Sequence, residues 1–122
     1  PDGVLTDEPE AIMIAELVRE AALEGVRDEL PHSLAVVVEE MHQREGRSLD
    51  NPMLDVHVKV YVERSSQKAI IIGKGGARLR EVGTQARRSI EALLGQKVFL
   101  DLHVKIAKDW QRDPKQLQRL GF

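Results

Sequence analysis

The sequence predicts an α+β module in which one three-stranded mixed sheet is covered on a single face by amphipathic helices. Two stretches, Leu54 to Val62 and Val98 to Ala107, alternate apolar and polar residues at a strict period of two, the mark of strands with one buried and one wet face. Between them, helical spacing runs into a cluster of glycines and then resumes. With 122 residues and 42% hydrophobic content the chain makes one domain with a real core, yet it has too few helices to cover both faces of a sheet.

Taken in order, residues 1–5 read as a linker and residues 6–30 as a first helix. Thr6 caps that helix, Asp7, Glu8 and Glu10 sit in its first turn, and Ile14, Leu17, Val18, Ala21, Val26 and Leu30 form its apolar stripe. Pro9 falls early enough to be tolerated, and Pro31 ends the helix by disfavouring helical geometry at Leu30. The β-branched run Val36-Val37-Val38 marks a first strand from about Leu34 to Met41, followed by a polar connection to Pro52. The second strand is Leu54 to Val62. A short helix from about Ser66 to Ile72, the glycine cluster, and a longer helix from Ala77 to Leu94 come next. Val82, Ala86, Ile90, Leu93 and Leu94 supply the buried side of the longer helix, and Gly95 stops it. The third strand is followed by an additional C-terminal helix over 114–120, with Trp110 as a cap on the end of the core. There is no internal repeat.

Composition excludes several classes. Without cysteine there is neither a disulfide framework nor a thiolate zinc site, and a reducing cytoplasm is the expected compartment. No apolar run approaches the ~20 residues of a membrane span, and nothing resembles a signal peptide. The chain starts at Pro1 rather than Met, which suggests a piece of something longer. The net charge of −2 hides a strong asymmetry. Pro1 to Pro31 holds nine acidic and two basic residues, whereas Arg64 to Arg88 holds seven basic residues against Glu81 alone. Phosphate binding depends on the local field, so the second zone is the candidate surface for a polyanion.

That zone contains Ala69-Ile70-Ile71-Ile72-Gly73-Lys74-Gly75-Gly76. Glycine lets main-chain N–H groups approach an anion with no Cβ in the way, and the following helix begins there with its free amides. The candidate binding residues are Ile70, Ile71, Gly73, Lys74, Gly75, Gly76, Arg78 and Arg80. The glycines would contact the sugar–phosphate backbone and Lys74 would add a mobile charge. The isoleucines divide between core and a nonpolar groove floor, in a way that periodicity leaves open. Arg78 and Arg80 reach phosphates further along. Aromatic content of 3% argues against a sheet that stacks bases on exposed Phe or Tyr. An isolated Gly-x-x-Gly is more often an ordinary turn, and single arginines on the longer helix are as often a solvated face.

No metal or catalytic site is expected. His57 and His103 lie on the polar faces of two strands, but no third ligand or helical His-x-x-x-His pair accompanies them. Glu39-Glu40 and Asp101 fail as catalytic carboxylates because adjacent strand positions should point to opposite faces.

The order of elements resembles a type II KH domain, and the wording is similar to the C-terminal KH domain of the Era family of bacterial GTPases. The residues that carry the likeness are Glu29 to Ser33, Ser66 to Gly76, Val82-Gly83-Thr84 with Ala86-Arg87, Ile90-Glu91 with Leu93-Leu94-Gly95, Val98 to Leu102, Val104-Lys105, Asp109-Trp110 and Leu120-Gly121-Phe122. The resemblance implies single-stranded RNA binding at the 3′ end region of small-subunit ribosomal RNA during subunit maturation, in the cytoplasm. It also implies an N-terminal GTPase domain in cis that uses GTP and Mg, and it leaves peripheral association of the parent with the inner face of the membrane open. This chain holds no Gly-x-x-x-x-Gly-Lys-Ser/Thr loop, since Gly95-Gln96-Lys97-Val98 fails both spacing and hydroxyl, so it is expected to hydrolyse nothing and to need no cofactor of its own. The alternatives are a protein-interaction domain that docks a GTPase domain or ribosomal protein, a small enzyme, and a KH domain of another ribosome-linked protein.

Overall fold

The computed structural model describes residues 9–30 and 34–107, together with Lys115 and Gln118. The elements are α1 (Pro9–Leu23), β1 (Ala35–Gln43), β2 (Met53–Val62), α2 (Ser65–Ile72), a single 3-10 turn (Lys74–Gly76), α3 (Ala77–Leu94) and β3 (Lys97–Ile106). The expected linker, the Thr6 cap and Trp110 lie outside the described residues. So does most of the expected terminal helix, of which Lys115 and Gln118 are helical.

β2 is the central strand. It pairs antiparallel with β1, from Ala35↔Tyr61 to Gln43↔Leu54. On its other side it pairs parallel with β3 without a slip, from Met53↔Lys97 to Val62↔Ile106. Parallel neighbours need a crossover, and α2, the glycine turn and α3 supply it. Along β2 the burial alternates without exception, which puts Leu54, Val56, Val58, Val60 and Val62 into the core. Ile14 and Val18 of α1, Ile71 of α2, and Val82, Ala86 and Ile90 of α3 close over them. The last three recur every fourth residue and form one helical stripe.

α1 ends seven residues before the expected Leu30. Gly25 sits at φ 78, where an L-residue is strained, and the chain turns back there. Val26 and Leu30 keep apolar spacing beyond the stop, but they sit in a turn closed by Leu30 N–H donating to the Val26 carbonyl at 3.0 Å. Leu30 is still fully buried, so it joins the core as its apolar spacing predicts although it lies outside the helix.

The outer face of the sheet is less open than expected. A bulge between Val38 and Glu40 makes Glu39 the extra residue. Glu39 accepts from Lys59 at 2.8 Å and Glu40 pairs with His57, so the two glutamates share the outer face rather than opposing one another. The Arg44 guanidinium lies 2.7 Å from Asp55 and 5.1 Å from the Phe99 ring centroid. His57 and His103 both pair with Asp101, at 3.0 and 3.1 Å. Partial burial pushes the Asp101 carboxyl up, but the hydrogen bonds and charges of His57 and His103 outweigh it and hold the group below its ordinary value. Lys59 is raised by its bond to Glu39, against the opposing effect of burial. Ala35, Val37 and Ala107 form a small buried cluster with Tyr61 beside this network. These histidines and carboxylates therefore tie three strands together. Among the described residues no three of them converge as metal ligands.

Candidate nucleic-acid interface

α2 starts where the Gln67 side-chain oxygen accepts from the backbone N–H groups of Glu63 and Arg64, at 3.0 and 2.9 Å. It stops at Gly73, whose N–H reaches the Ala69 carbonyl at 2.9 Å while φ 74 and ψ 176 carry the chain away from the helix. Gly75 and Gly76 follow at φ 62 and φ 77, so three of the four residues between α2 and α3 adopt backbone that glycine alone visits freely. Lys74 and Gly75 are exposed. Their N–H groups make no backbone hydrogen bond among the described residues. A free N–H pair on an exposed turn leading into the N-terminus of an 18-residue helix has the geometry to cradle an anion.

The surroundings of the turn sort the sequence candidates. Ile71 is fully buried. Ile70 and Ile72 are only partly buried, packed against the core from its edge. Arg80 is exposed and donates to the Gly75 carbonyl at 3.1 Å, so its guanidinium lies beside the loop. Arg78 turns the other way and donates to the carbonyls of Ala22 and Glu24, both at 2.7 Å, which satisfies the C-terminus of α1. Its guanidinium is engaged inside the domain and bolts the loop to α1.

Sequence reasoning missed the far wall of this site. Leu100 and Leu102 belong to the core-facing row of β3, yet both are only partly buried, unlike Val98 and Val104 on the same row. β3 borders α2 and α3, whose Ile72 and Leu79 are also half-exposed. The signal was Gly83. Glycine inside a helix costs about 1 kcal/mol relative to alanine and asks for a reason. Here a Cβ would make an ordinary contact 3.7 Å from Leu102 Cδ1, which shows that this face of α3 lies against the strip. Glu91 sets the register between α3 and β3 by binding both Arg87 at 3.1 Å and the Val98 N–H at 2.9 Å.

A helix, an antiparallel strand pair, two helices broken by an exposed glycine turn, and a third strand added in parallel define a type II KH module. The family model described as KH domain matches residues 29–111, and the chain belongs to that family. Over all 122 residues it is 72% identical to the GTPase Era of Streptomyces coelicolor, of which it spans 38%. It is 71% identical to the GTPase Era of Mycobacterium tuberculosis, of which it spans 40%. Among solved structures it superposes with TM-score 0.84 and 39% identity on Era in complex with MgGDPNP and nucleotides 1506–1542 of 16S ribosomal RNA, covering 99% of this chain and 39% of that one. An Aquifex aeolicus Era variant bound to GDP and AlF4 gives 0.83 at 40% identity, with the same coverage. The chain thus spans about two-fifths of the length of these relatives.

Proposed function

We propose that this chain binds single-stranded RNA, as the C-terminal module of an Era-type GTPase, and that its target is the 3′ end region of small-subunit ribosomal RNA. The observation that carries the reading is the exposed turn at Lys74 and Gly75 with its unbonded N–H groups, set beside an apolar strip of Ile72, Leu79, Leu100 and Leu102. Phosphates lie on the turn while splayed bases lie on the strip. The Era structure with 16S ribosomal RNA supports the choice of target. Guanine nucleotide and magnesium belong to the part of the relatives that this chain does not span. The parent works in the cytoplasm on the small ribosomal subunit, and its membrane association, where it occurs, is peripheral. No helix among the described residues is long and apolar enough to cross a membrane.

The test is fluorescence anisotropy of the chain with a labelled oligonucleotide of that 3′ sequence. Micromolar or tighter binding that weakens steeply with salt is expected, and the same affinity for duplex RNA of equal length would overturn the reading. A second reading, a protein-docking module, is favoured by one feature: an open apolar groove between α1 and α3 that exposes Ile12, Met13 and Leu93. It requires that the isolated chain bind RNA weakly or not at all, so the same titration separates the two.

The isoleucines give an internal check. Ile71→Ala removes a fully buried side chain and is expected to cost about 2–5 kcal/mol in urea unfolding. Ile72→Ala is expected to cost less than about 1.5 kcal/mol, because the site is half-exposed, and instead to weaken RNA binding by several-fold. The opposite assignment of the two effects would exchange their roles.

A further inference from the structure

We propose that the exposed ridge of α3 from Arg80 through Thr84 to Arg88 is a second contact for the RNA backbone, taking phosphates beyond the nucleotides held at the glycine turn. The inference rests on the RNA-binding reading and extends its reach. Residues four apart on a helix stand one above another, about 6 Å per step, so the ridge offers cation, hydroxyl and cation over about 12 Å. It runs along the side of α3 opposite to the buried stripe of Val82, Ala86 and Ile90. It also begins at the loop, where Arg80 already touches the Gly75 carbonyl.

The state of the basic residues on α3 selects the ridge. Arg78 is engaged with α1, and Arg87 is paired with Glu91 at 3.1 Å. Arg88 is exposed and makes no ion pair or hydrogen bond among the described residues. An arginine with no protein partner, about three helical turns beyond an anion cradle, is available for a phosphate. The shallow groove around it is lined by Ala77, Arg80, Glu81, Thr84, Gln85, Arg88 and Ser89. It contains no large apolar side chain, which suits a sugar–phosphate backbone and not a protein partner, whose contact would need an apolar centre. Glu81 is the one acid in that lining. Gln85 bonds to Glu24 at 2.9 Å at its border with α1, so Glu24 limits the ridge on that side.

The experiment compares two RNAs that share one sequence: a tetranucleotide, matching the roughly four positions a KH loop clamps, and a strand of roughly ten nucleotides. Arg88→Ala in the otherwise intact chain is expected to leave tetranucleotide affinity within about 2-fold. It is expected to weaken the longer strand by about 5- to 10-fold, and to lower the slope of log affinity against log salt by about 1 for the longer strand only. Thr84→Ala should show the same selectivity with a smaller loss. Unchanged binding of the longer strand by Arg88→Ala overturns the ridge and leaves the loop assignment standing. An equal loss with both RNAs also overturns it, because that pattern is a general field effect. If the native chain binds neither RNA, the RNA-binding reading falls and the ridge falls with it.

Discussion

Aspartate at both Lys74 and Gly75 abolishes RNA binding and leaves the fold intact. This is the expected result of putting two carboxylates where the proposed site brings phosphates closest. Lys74 is exposed and has no ion pair among the described residues, so its replacement removes no contact within the domain. Gly75 sits at φ 62 and ψ 20, a left-handed conformation that aspartate tolerates better than most residues, and a Cβ there would meet nothing within 4 Å. The structural cost is about 1–2 kcal/mol, well inside the stability of a domain this size. The binding cost is larger. A charge-assisted hydrogen bond to phosphate contributes about 1.5–3 kcal/mol, and reversing the charge adds repulsion to that loss, so affinity should fall by at least about 100-fold. Circular dichroism and urea midpoint check the first half of the prediction, and anisotropy at fixed salt checks the second. Retention of native affinity by the folded double variant would show that RNA, if bound, does not use the turn.

How far the site could be read from residues alone depended on what kind of constraint acted at each position. β2 and β3 were found to within a residue or two because burying one sheet face forces alternation, and alternation is visible in the chain. Glu39 and Glu40 escaped because a bulge breaks the period that the reading assumes. Only the pairing partner shows it: Val38 meets Val58, and the next matched pair is Glu40 with His57. α1 is shorter than its spacing implies because Val26 and Leu30 satisfy helical spacing by burial in a turn, and the positive φ of Gly25 ends the helix before them.

The basic residues show a sharper boundary. Arg78 and Arg80 are two residues apart, equally charged and both within four residues of the last glycine, yet one engages α1 carbonyls and the other the loop carbonyl. No local rule separates them, because the deciding group is the C-terminal end of a helix more than fifty residues earlier, at Ala22 and Glu24. The isoleucine triplet was undecidable for a related reason. One helical turn points three neighbours in three directions, and only the position of the sheet beneath makes Ile71 the buried one.

The glycine turn itself is held by a contact that predicts the largest single-residue effect on stability. Gly73→Ala is expected to destabilise the domain by about 2–6 kcal/mol, whereas Gly75→Ala, two residues away, should cost about 1–2 kcal/mol. At φ 74 and ψ 176, Gly73 occupies a region essentially closed to other residues. Its added Cβ would lie 2.6 Å from Arg78 Cβ and 3.0 Å from the Arg78 backbone nitrogen. Neither atom is the loose end of a side chain. Relief therefore requires the first turn of α3 to move, and that movement pulls on the two bonds from Arg78 to the Ala22 and Glu24 carbonyls at the end of α1. The added methyl thus loads three elements at once, while the one at Gly75 projects into open space. Parallel urea titrations of the two variants make the comparison. A Gly73→Ala loss no greater than that of Gly75→Ala would mean that α2 and α3 are not joined at the close approach on which both the anion cradle and the α1 bolt depend.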